Sequence, residues 1–483
     1  MKTAERHGTL ARDRIPMGQR LAYGLGALVN NLLGAAIGVM AIVLNLGLGI
    51  NPAVVGTLMA LPRLTDALTD PLMGYISDHT RSRWGRRRPY IFVGAITAGI
   101  LFALLWQLPA GHSQAFYFWF FLFGSILFYL AYTVFATPWV ALGYEMTPDY
   151  NERTRLMGVA NFMGQFAWVA APWFYKIMED DRLFEDSVAG ARGLAIAVGV
   201  FAILVGIIPA IFCRERMKAI AEKEEAAAGT ATLLQGLMKN LSSFFKGFLI
   251  TIKFPPFLKL CISTFLVFNG FMLVSSFSSY VIIYYVYGGD MDLGAQLIGW
   301  NGTASAIATF CVIPIVTWVS TRLGKRRAFF LAVGISIFGY ALKFFCYSQT
   351  TPLLLLASTP FIAFGLGGLF TLMGSMVADV CDLDELKTGH RREGMFGSIF
   401  WWVVKLGMAL ALGVSGFLLN ATGFDVANEG NQPAQTLFLM RLFDVAVPII
   451  ASIIAIWVVA SYPITEEKAR QVRAELETRR GEA

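Results

Sequence analysis

Arg83-Trp84-Gly85-Arg86-Arg87-Arg88 follows directly on a long apolar stretch, and 239 residues further on, from 83 to 322, Arg322-Leu323-Gly324-Lys325-Arg326-Arg327 stands in the same setting. A basic turn around a central glycine, repeated at about half the length of a 483-residue chain, marks two halves. Each half places the same short loop after its second apolar segment.

Working outward from the two turns, the apolar segments are too long and too many for a soluble core. Hydrophobic residues make up 56% of the chain and charged residues only 15%, and a soluble fold of this size could not cover its surface with so few polar groups. The runs Leu21 to Ile50, Tyr90 to Leu108 and Ala115 to Gly143 each approach or exceed the ~20 residues that cross a bilayer as helix. Twelve spans are expected, at 21–48, 52–77, 90–108, 115–144, 156–178, 193–212, 257–286, 294–319, 328–347, 352–378, 395–420 and 435–461. The fold class is therefore an all-α polytopic membrane protein of two six-helix bundles, 21–212 and 257–462. Because six is even, both halves begin on the same membrane face and are parallel repeats about an axis along the membrane normal, an architecture of transporters. Residues 213–256 read as a linker with an interfacial helix, with Leu233, Leu237, Leu241, Phe244 and Phe248 at helical spacing among lysines; a partner-binding helix has the same pattern. The segment 1–20 and the tail 463–483 read as polar extensions, the tail without an assigned function.

Charge assigns the faces. Arg81, Arg83 and Arg86 to Arg88 follow span two, and Arg322 and Lys325 to Arg327 follow span eight, whereas the opposite loops at 49–51, 109–114 and 348–351 contain no Lys or Arg. The basic loops are expected in the cytoplasm, with both termini. Lys2, Arg6, Arg12, Arg14 and Arg20 precede the first span without a cleavable leader pattern, so that span is expected to stay in the membrane. The net charge of +7 follows from this topology and does not call for a nucleic-acid partner. Five cysteines have neither paired nor metal-ligand spacing and read as packing residues.

An ionisable side chain inside a span costs several kcal/mol unless it is paired or hydrated, so each one is a candidate site. Span two contains Arg63-Leu-Thr-Asp66-Ala-Leu-Thr69-Asp70-Pro71. Asp66 and Asp70 lie four apart on one helix face, and two adjacent carboxylates favour a bound cation or a raised pKa and a proton. Thr69, with Thr133 of span four, adds hydroxyl oxygens suited to a hard cation. The alternative is a structural pair neutralised by Arg63 or Lys405. Lys405 is a lone ammonium in span eleven; the carboxylates expected within its reach are those of span two, unless it snorkels to the interface.

Three strings carry a family resemblance: Asp66-Ala-Leu-Thr-Asp70-Pro71-Leu-Met-Gly74, Thr80-Arg81-Ser82-Arg83-Trp84-Gly85 and Met376-Val377-Ala378-Asp379, extended by Arg391-Arg392-Glu393-Gly394 and Val403-Val404-Lys405. The chain resembles the glycoside-pentoside-hexuronide:cation symporters of the major facilitator superfamily, the melibiose permease-like family, over nearly its whole length. The resemblance implies that Asp66 and Asp70 are cation-site carboxylates with Thr69 and Thr133 as neighbouring ligands and Lys405 close by. It implies a substrate cavity at Asn31, Ala136, Asn161 and Trp401, where the family pattern has charged or small polar groups, and Trp139 and Trp402 either stack on a sugar or face lipid. Arg153, Asp379, Asp382, Arg391 and Glu393 would form a cytoplasmic gate, with ordinary topological charge as the alternative. Asp78 with Arg81 to Arg88 resembles the superfamily's loop motif.

The expected function is Na+ or H+ coupled symport of a glycoside or sugar-like solute, with a lysophospholipid or other amphiphile as the alternative. No cofactor is expected, and the partners are the solute and membrane lipids around a monomer in the plasma membrane, bacterial inner membrane by type. No Gly-rich loop ending in Gly-Lys-Ser/Thr supports an ATP-driven pump. Four scattered histidines and the absence of a nucleophile motif argue against an intramembrane enzyme, and a receptor would not need the acids of span two.

Overall fold

The computed structural model describes residues 14–80, 82–109, 111–147, 150–215, 250–389 and 393–480. Among them every expected span is helical: Met17–Met40 continued by Ile42–Leu46, Pro52–His79, Arg88–Leu105, Gln114–Glu145, Tyr150–Ala170 with Trp173–Met178, and Ser187–Gly206 with Ile208–Phe212 in the first half. The second half has Pro255–Tyr280 running into a π-helical turn Val281–Val286, then Met291–Leu323, Lys325–Cys346, Thr359–Thr388, Glu393–Ala421 and Ala434–Ala460. Ten of these are long and apolar enough to cross a membrane. The other two are the helices of spans two and five: the first contains Asp66 and Asp70, and the second begins, ahead of the apolar span from 156, with the charges Glu152 to Arg155.

The ends of the helices follow from local chemistry. Spans four, six and eight open on Ser113, Asp186 and Asp290, whose side chains accept from Phe116, Ala189 and Leu293 N–H, and Asn51 accepts from Ala53 N–H at the start of span two. Each cap satisfies an amide that no helical carbonyl reaches. These caps occupy the loops opposite the two basic turns.

Two compact units emerge, one from the described parts of Met1–Met40, Thr65–Phe174 and Arg182–Leu241, the other from Ala41–Leu64, Tyr175–Asp181 and Ser242–Ala483. In the first, span one packs on span five, and span three on spans four and six. In the second, span seven packs on spans eleven and twelve, and span nine on ten and twelve. The partner scheme repeats after a shift of six spans. Without a hydrophobic drive between helices in lipid, close packing depends on small residues: a Cβ on Gly94 would come within 2.4 Å of Phe135 N, and one on Gly339 within 2.7 Å of Phe361 Cβ.

The two basic turns are built alike. Gly85 and Gly324 take φ +110 and +80, and a side chain there would meet Glu215 or Glu466, acids that return after the last span of each half. Glu215 accepts the amides of Arg86 and Arg87 at 2.9 Å and of Arg88 at 3.2 Å, a carboxylate on a helix N-terminus. Arg86 and Arg87 reach Glu145 at 2.7 and 2.8 Å, as Lys325 reaches Asp379 at 2.7 Å.

The tail, expected to be a plain polar extension, forms a helix Glu466–Arg480. Val472 and Leu476 are buried in the second unit's core, because their spacing of four puts both on one helix face.

Candidate functional site

Spans two and four bring four oxygens together in the first unit. Thr69 Oγ1 lies 3.3 Å from Thr133 Oγ1, and Thr137 Oγ1 donates to Asp70 Oδ1 at 3.1 Å. Thr133 and Thr137 are one turn apart, so span four presents two hydroxyls to two successive residues of span two. Thr133 is buried and Asp70 half-buried. Pro138, next in the chain, cannot donate to the carbonyl of Val134, which leaves a further oxygen outside the regular helix ladder. Thr137 is absent from the sequence-based candidates, although its spacing of four from Thr133 could have identified it. Asp66, one turn before Asp70 in the same helix, is described in its backbone alone, as are Arg153 and Glu393; Arg391 lies outside the described residues.

A second polar layer joins spans one, four and five. Asn31 donates to the Gly164 carbonyl at 3.2 Å, Asn30 donates to Asn31 Oδ1 at 3.4 Å, and Tyr132 donates to Asn30 Oδ1 at 2.8 Å. Ala136 is half-buried and Asn161 exposed. Trp139 departs from its expected place: its ring stacks on Tyr23 at 5.0 Å and its N–H donates to the Tyr23 carbonyl at 3.1 Å. Buried against span one, it is an element of helix packing, and Gly26 makes room for it.

In the second unit Trp401 is 55% exposed and lies nearly parallel to Phe370, ring centroids 6.0 Å apart and planes 8° apart. Phe268 of span seven meets Phe370 edge-on at 5.6 Å, so spans seven, ten and eleven share one aromatic shelf. Lys405 is half-buried one turn beyond Trp401. Arg63 Nη1 lies 2.9 Å from Met408 Sδ on the same helix as Lys405.

The expectation that span two holds the deep carboxylates available to a buried lysine is incomplete. Asp444 of span twelve is fully buried and pairs with Lys343 of span nine at 2.8 Å, and Tyr347 donates to the same oxygen at 2.8 Å. The rule that flagged Asp66 applies equally to these two residues. The pair satisfies its charges locally, and removing one partner would strand the other.

On the basic face, Asp379 is held by Lys325, a partner that the sequence reading did not name; Asp382 is half-buried one turn on. Ahead of span five, Glu152 is fully buried in the structure and accepts from Ile15 N–H at 3.1 Å, Arg20 at 2.6 Å and Arg155 at 2.8 Å. Burial alone would raise its carboxyl pKa, but the Ile15 amide, Arg155 and Arg20 together hold it below the usual value. A depressed carboxyl pKa gives stability that is present above the ordinary value of 4.5 and lost as pH falls through the lower, folded value. Glu152→Gln is expected to lower the melting temperature by several degrees at pH 7, and the gap to the unsubstituted protein is expected to close in melts taken progressively below pH 4.5. A gap constant with pH would remove the ionic role.

At the opposite face, within the second unit, the outer ends of spans one and two meet spans seven and eleven. Tyr280 donates to Asn45 Oδ1 at 2.9 Å, and Asn51 donates to Asn420 Oδ1 at 3.2 Å. A Cβ on Gly56 would come within 2.7 Å of the Gly413 carbonyl, and one on Gly416 within 2.1 Å of the Pro52 carbonyl. The sequence reading did not single out this seam, which small residues at spacings of three and four make possible.

Among the described residues all twelve expected spans are helical, and this all-helical arrangement is that of a membrane transporter of the major facilitator fold. The chain belongs to the family described as MFS/sugar transport protein, whose model matches residues 22–466. It is 24% identical to the glucuronide carrier protein homolog of Escherichia coli strain K12, over 95% of each chain. It is 25% identical to the sodium-dependent lysophosphatidylcholine symporter 1 of Mus musculus, over 98% of this chain and 90% of that one. Among solved structures, a bacterial homolog of the human lysosomal transporter Spinster, inward-facing and unoccupied, matches with a TM-score of 0.66 at 16% identity, covering 92% of this chain and 97% of that one. That last likeness concerns the fold alone.

Proposed function

We propose that the protein is a cation-coupled symporter that carries a glycoside with an apolar aglycone, or a similar sugar-like solute, by alternating access. The observation that carries the reading is the oxygen cluster of Asp70, Thr69, Thr133 and Thr137 inside spans two and four. Oxygen ligands without a nitrogen or sulfur suit Na+ or a proton. Asp66 is assigned to the same site, and Lys405 and Arg63 to compensating its charge when no cation is bound. Asn31, Ala136, Asn161 and Trp401 are assigned to the solute, and Arg153, Asp379, Asp382, Arg391 and Glu393 to a latch on the basic face.

The solute class follows from what this set lacks. Amide and methyl groups at Asn31, Ala136 and Asn161 cannot make the short charge-assisted bonds that hold sugar hydroxyls tightly, whereas an exposed indole stacked on Phe370 offers apolar area and a flat ring. The halves 21–212 and 257–462, joined by the linker 213–256, move as bodies around the site. The molecule works as a monomer in the plasma membrane with both termini cytoplasmic, and it transports its solute without converting it. A second reading, a lysophospholipid as solute, is favoured by the same aromatic shelf and by the relative named as a lysophosphatidylcholine symporter.

Thermal stability of the purified protein against bare disaccharides, alkyl and aryl glycosides, uronides and lysophospholipids, each with and without sodium, tests the assignment. A ligand at a hundred times its Kd stabilises by about 2.7 kcal/mol. Sodium-dependent stabilisation by an alkyl or aryl glycoside is the expected result. Stabilisation by lysophospholipid alone selects the second reading, and tight sodium-dependent binding of a bare disaccharide overturns the argument from the cavity.

A further inference from the structure

We propose that the basic hollow beside the first turn binds the phosphate of an anionic phospholipid in the leaflet that faces the basic loops. Arg83, Arg88 and Arg214 line a cavity of about 280 Å³ together with Trp84 and Glu215. The cavity lies within the first unit, between the start of span three and the end of span six.

Three guanidinium groups face one carboxylate, and that carboxylate is already engaged by three backbone amides. Arg88 donates through Nε and Nη2 to the carbonyls of Ala210 and Ile211, which fixes its position. Among the described residues, neither Arg83 nor Arg214 makes a hydrogen bond or ion pair, and both are exposed. Among the described residues, the hollow therefore carries three positive charges against the single carboxylate of Glu215. A phosphate diester complements it in charge and in the planar fork of donors that arginine presents.

A lipid, and not a soluble anion, is indicated by what adjoins the cavity. Trp84 is exposed and packs edge-on against Phe92 at 5.6 Å, the amphipathic placement typical of a tryptophan at the bilayer interface. Ile211, Phe212 and Val93 beside it are exposed apolar residues on a membrane-spanning bundle. A headgroup in the hollow would leave its acyl chains along this strip. Basic pockets between transmembrane helices on the cytoplasmic side recognise anionic headgroups in this way. The choice of leaflet rests on the orientation proposed above; the binding itself does not depend on transport.

The test uses the full-length protein in phosphatidylcholine nanodiscs. Titrated phosphatidylglycerol is expected to raise the melting temperature, with neither further phosphatidylcholine nor inorganic phosphate doing so. Arg83→Gln and Arg214→Gln are each expected to weaken the apparent affinity about fivefold, and the double variant about twenty-five-fold, from roughly 1 kcal/mol for each basic residue near an anionic surface. Arg470→Gln, on the tail helix, is the control and should leave the affinity unchanged. Because Arg83 and Arg214 are exposed and make no hydrogen bond or ion pair among the described residues, their loss should not impair folding; phosphatidylglycerol retained on the protein in native mass spectrometry gives a second readout. An equal response to inorganic phosphate would replace the lipid with a soluble anion and overturn the proposal. So would an undiminished response in the double variant.

Discussion

Asp70→Asn and Asp66→Asn are each expected to abolish gradient-driven uptake while the protein remains folded. An amide keeps the size of the carboxyl group and one acceptor oxygen, so Asp70→Asn still takes the hydroxyl of Thr137 and packing changes little. What it loses is the charge that a cation or proton requires. Losing one charged interaction costs about 1.5–3 kcal/mol, a ten- to hundredfold loss of cation affinity. Concentrative uptake depends on that affinity at every cycle. Uptake into membrane vesicles under an imposed sodium or proton gradient should fall to background, while size-exclusion behaviour and helical content are unchanged and solute exchange without a gradient persists. Thr137→Val should give an intermediate loss, because it removes the hydroxyl and spares the carboxylate. Normal accumulation by both aspartate variants would remove the coupling assignment.

The second large effect is expected at a residue with no functional group. Gly416→Val should stop turnover, because even a Cβ there would approach the Pro52 carbonyl to 2.1 Å, a backbone atom without rotamer freedom. Overpacking of this kind costs about 1–3 kcal/mol or more, and it acts only while the outer ends of spans two and eleven are together. A state favoured by alternating access is thereby disfavoured, and each 1.4 kcal/mol shifts its population tenfold. Gly413→Ala provides the comparison. Its Cβ would meet Ala60 Cβ at 3.1 Å, an approach that a shift of a few tenths of an ångström relieves, and its effect should be much smaller. A cysteine in place of Asn420, at the outer end of the same seam, reports the state: a membrane-impermeant maleimide should label it faster in the Gly416→Val background. Uptake within twofold of normal would show that the seam does not close during transport.

Both results depend on placements of different legibility. Asp66 and Asp70 could be picked out from the chain because an acid in an apolar run is conspicuous in any fold. Lys343 and Asp444 answer to the same rule, but they lie about a hundred residues apart and no local pattern joins them; that they neutralise one another follows from the packing of spans nine and twelve. Trp139 illustrates the opposite case. Its residue type suits a sugar-stacking surface, yet the rotation of span four turns it onto Tyr23.

The sequence by itself determined that the chain is an all-helical membrane protein, roughly where its apolar helices run, and that a basic turn recurs at half its length. In a bilayer each helix satisfies its own backbone hydrogen bonds and must be apolar over a fixed length, so these properties are written segment by segment. Only the tertiary structure decided which faces of those helices meet: Thr137 against Asp70, Glu215 and Glu466 beside the two turns, Asp379 with Lys325, and the backbones of Gly56 and Gly416 against spans eleven and two. Between apolar helices in an apolar solvent, burial alone favours no particular rotation. The choice falls to close contacts of small residues and to a few hydrogen bonds and ion pairs, whose partners lie tens to hundreds of residues apart and leave no local pattern.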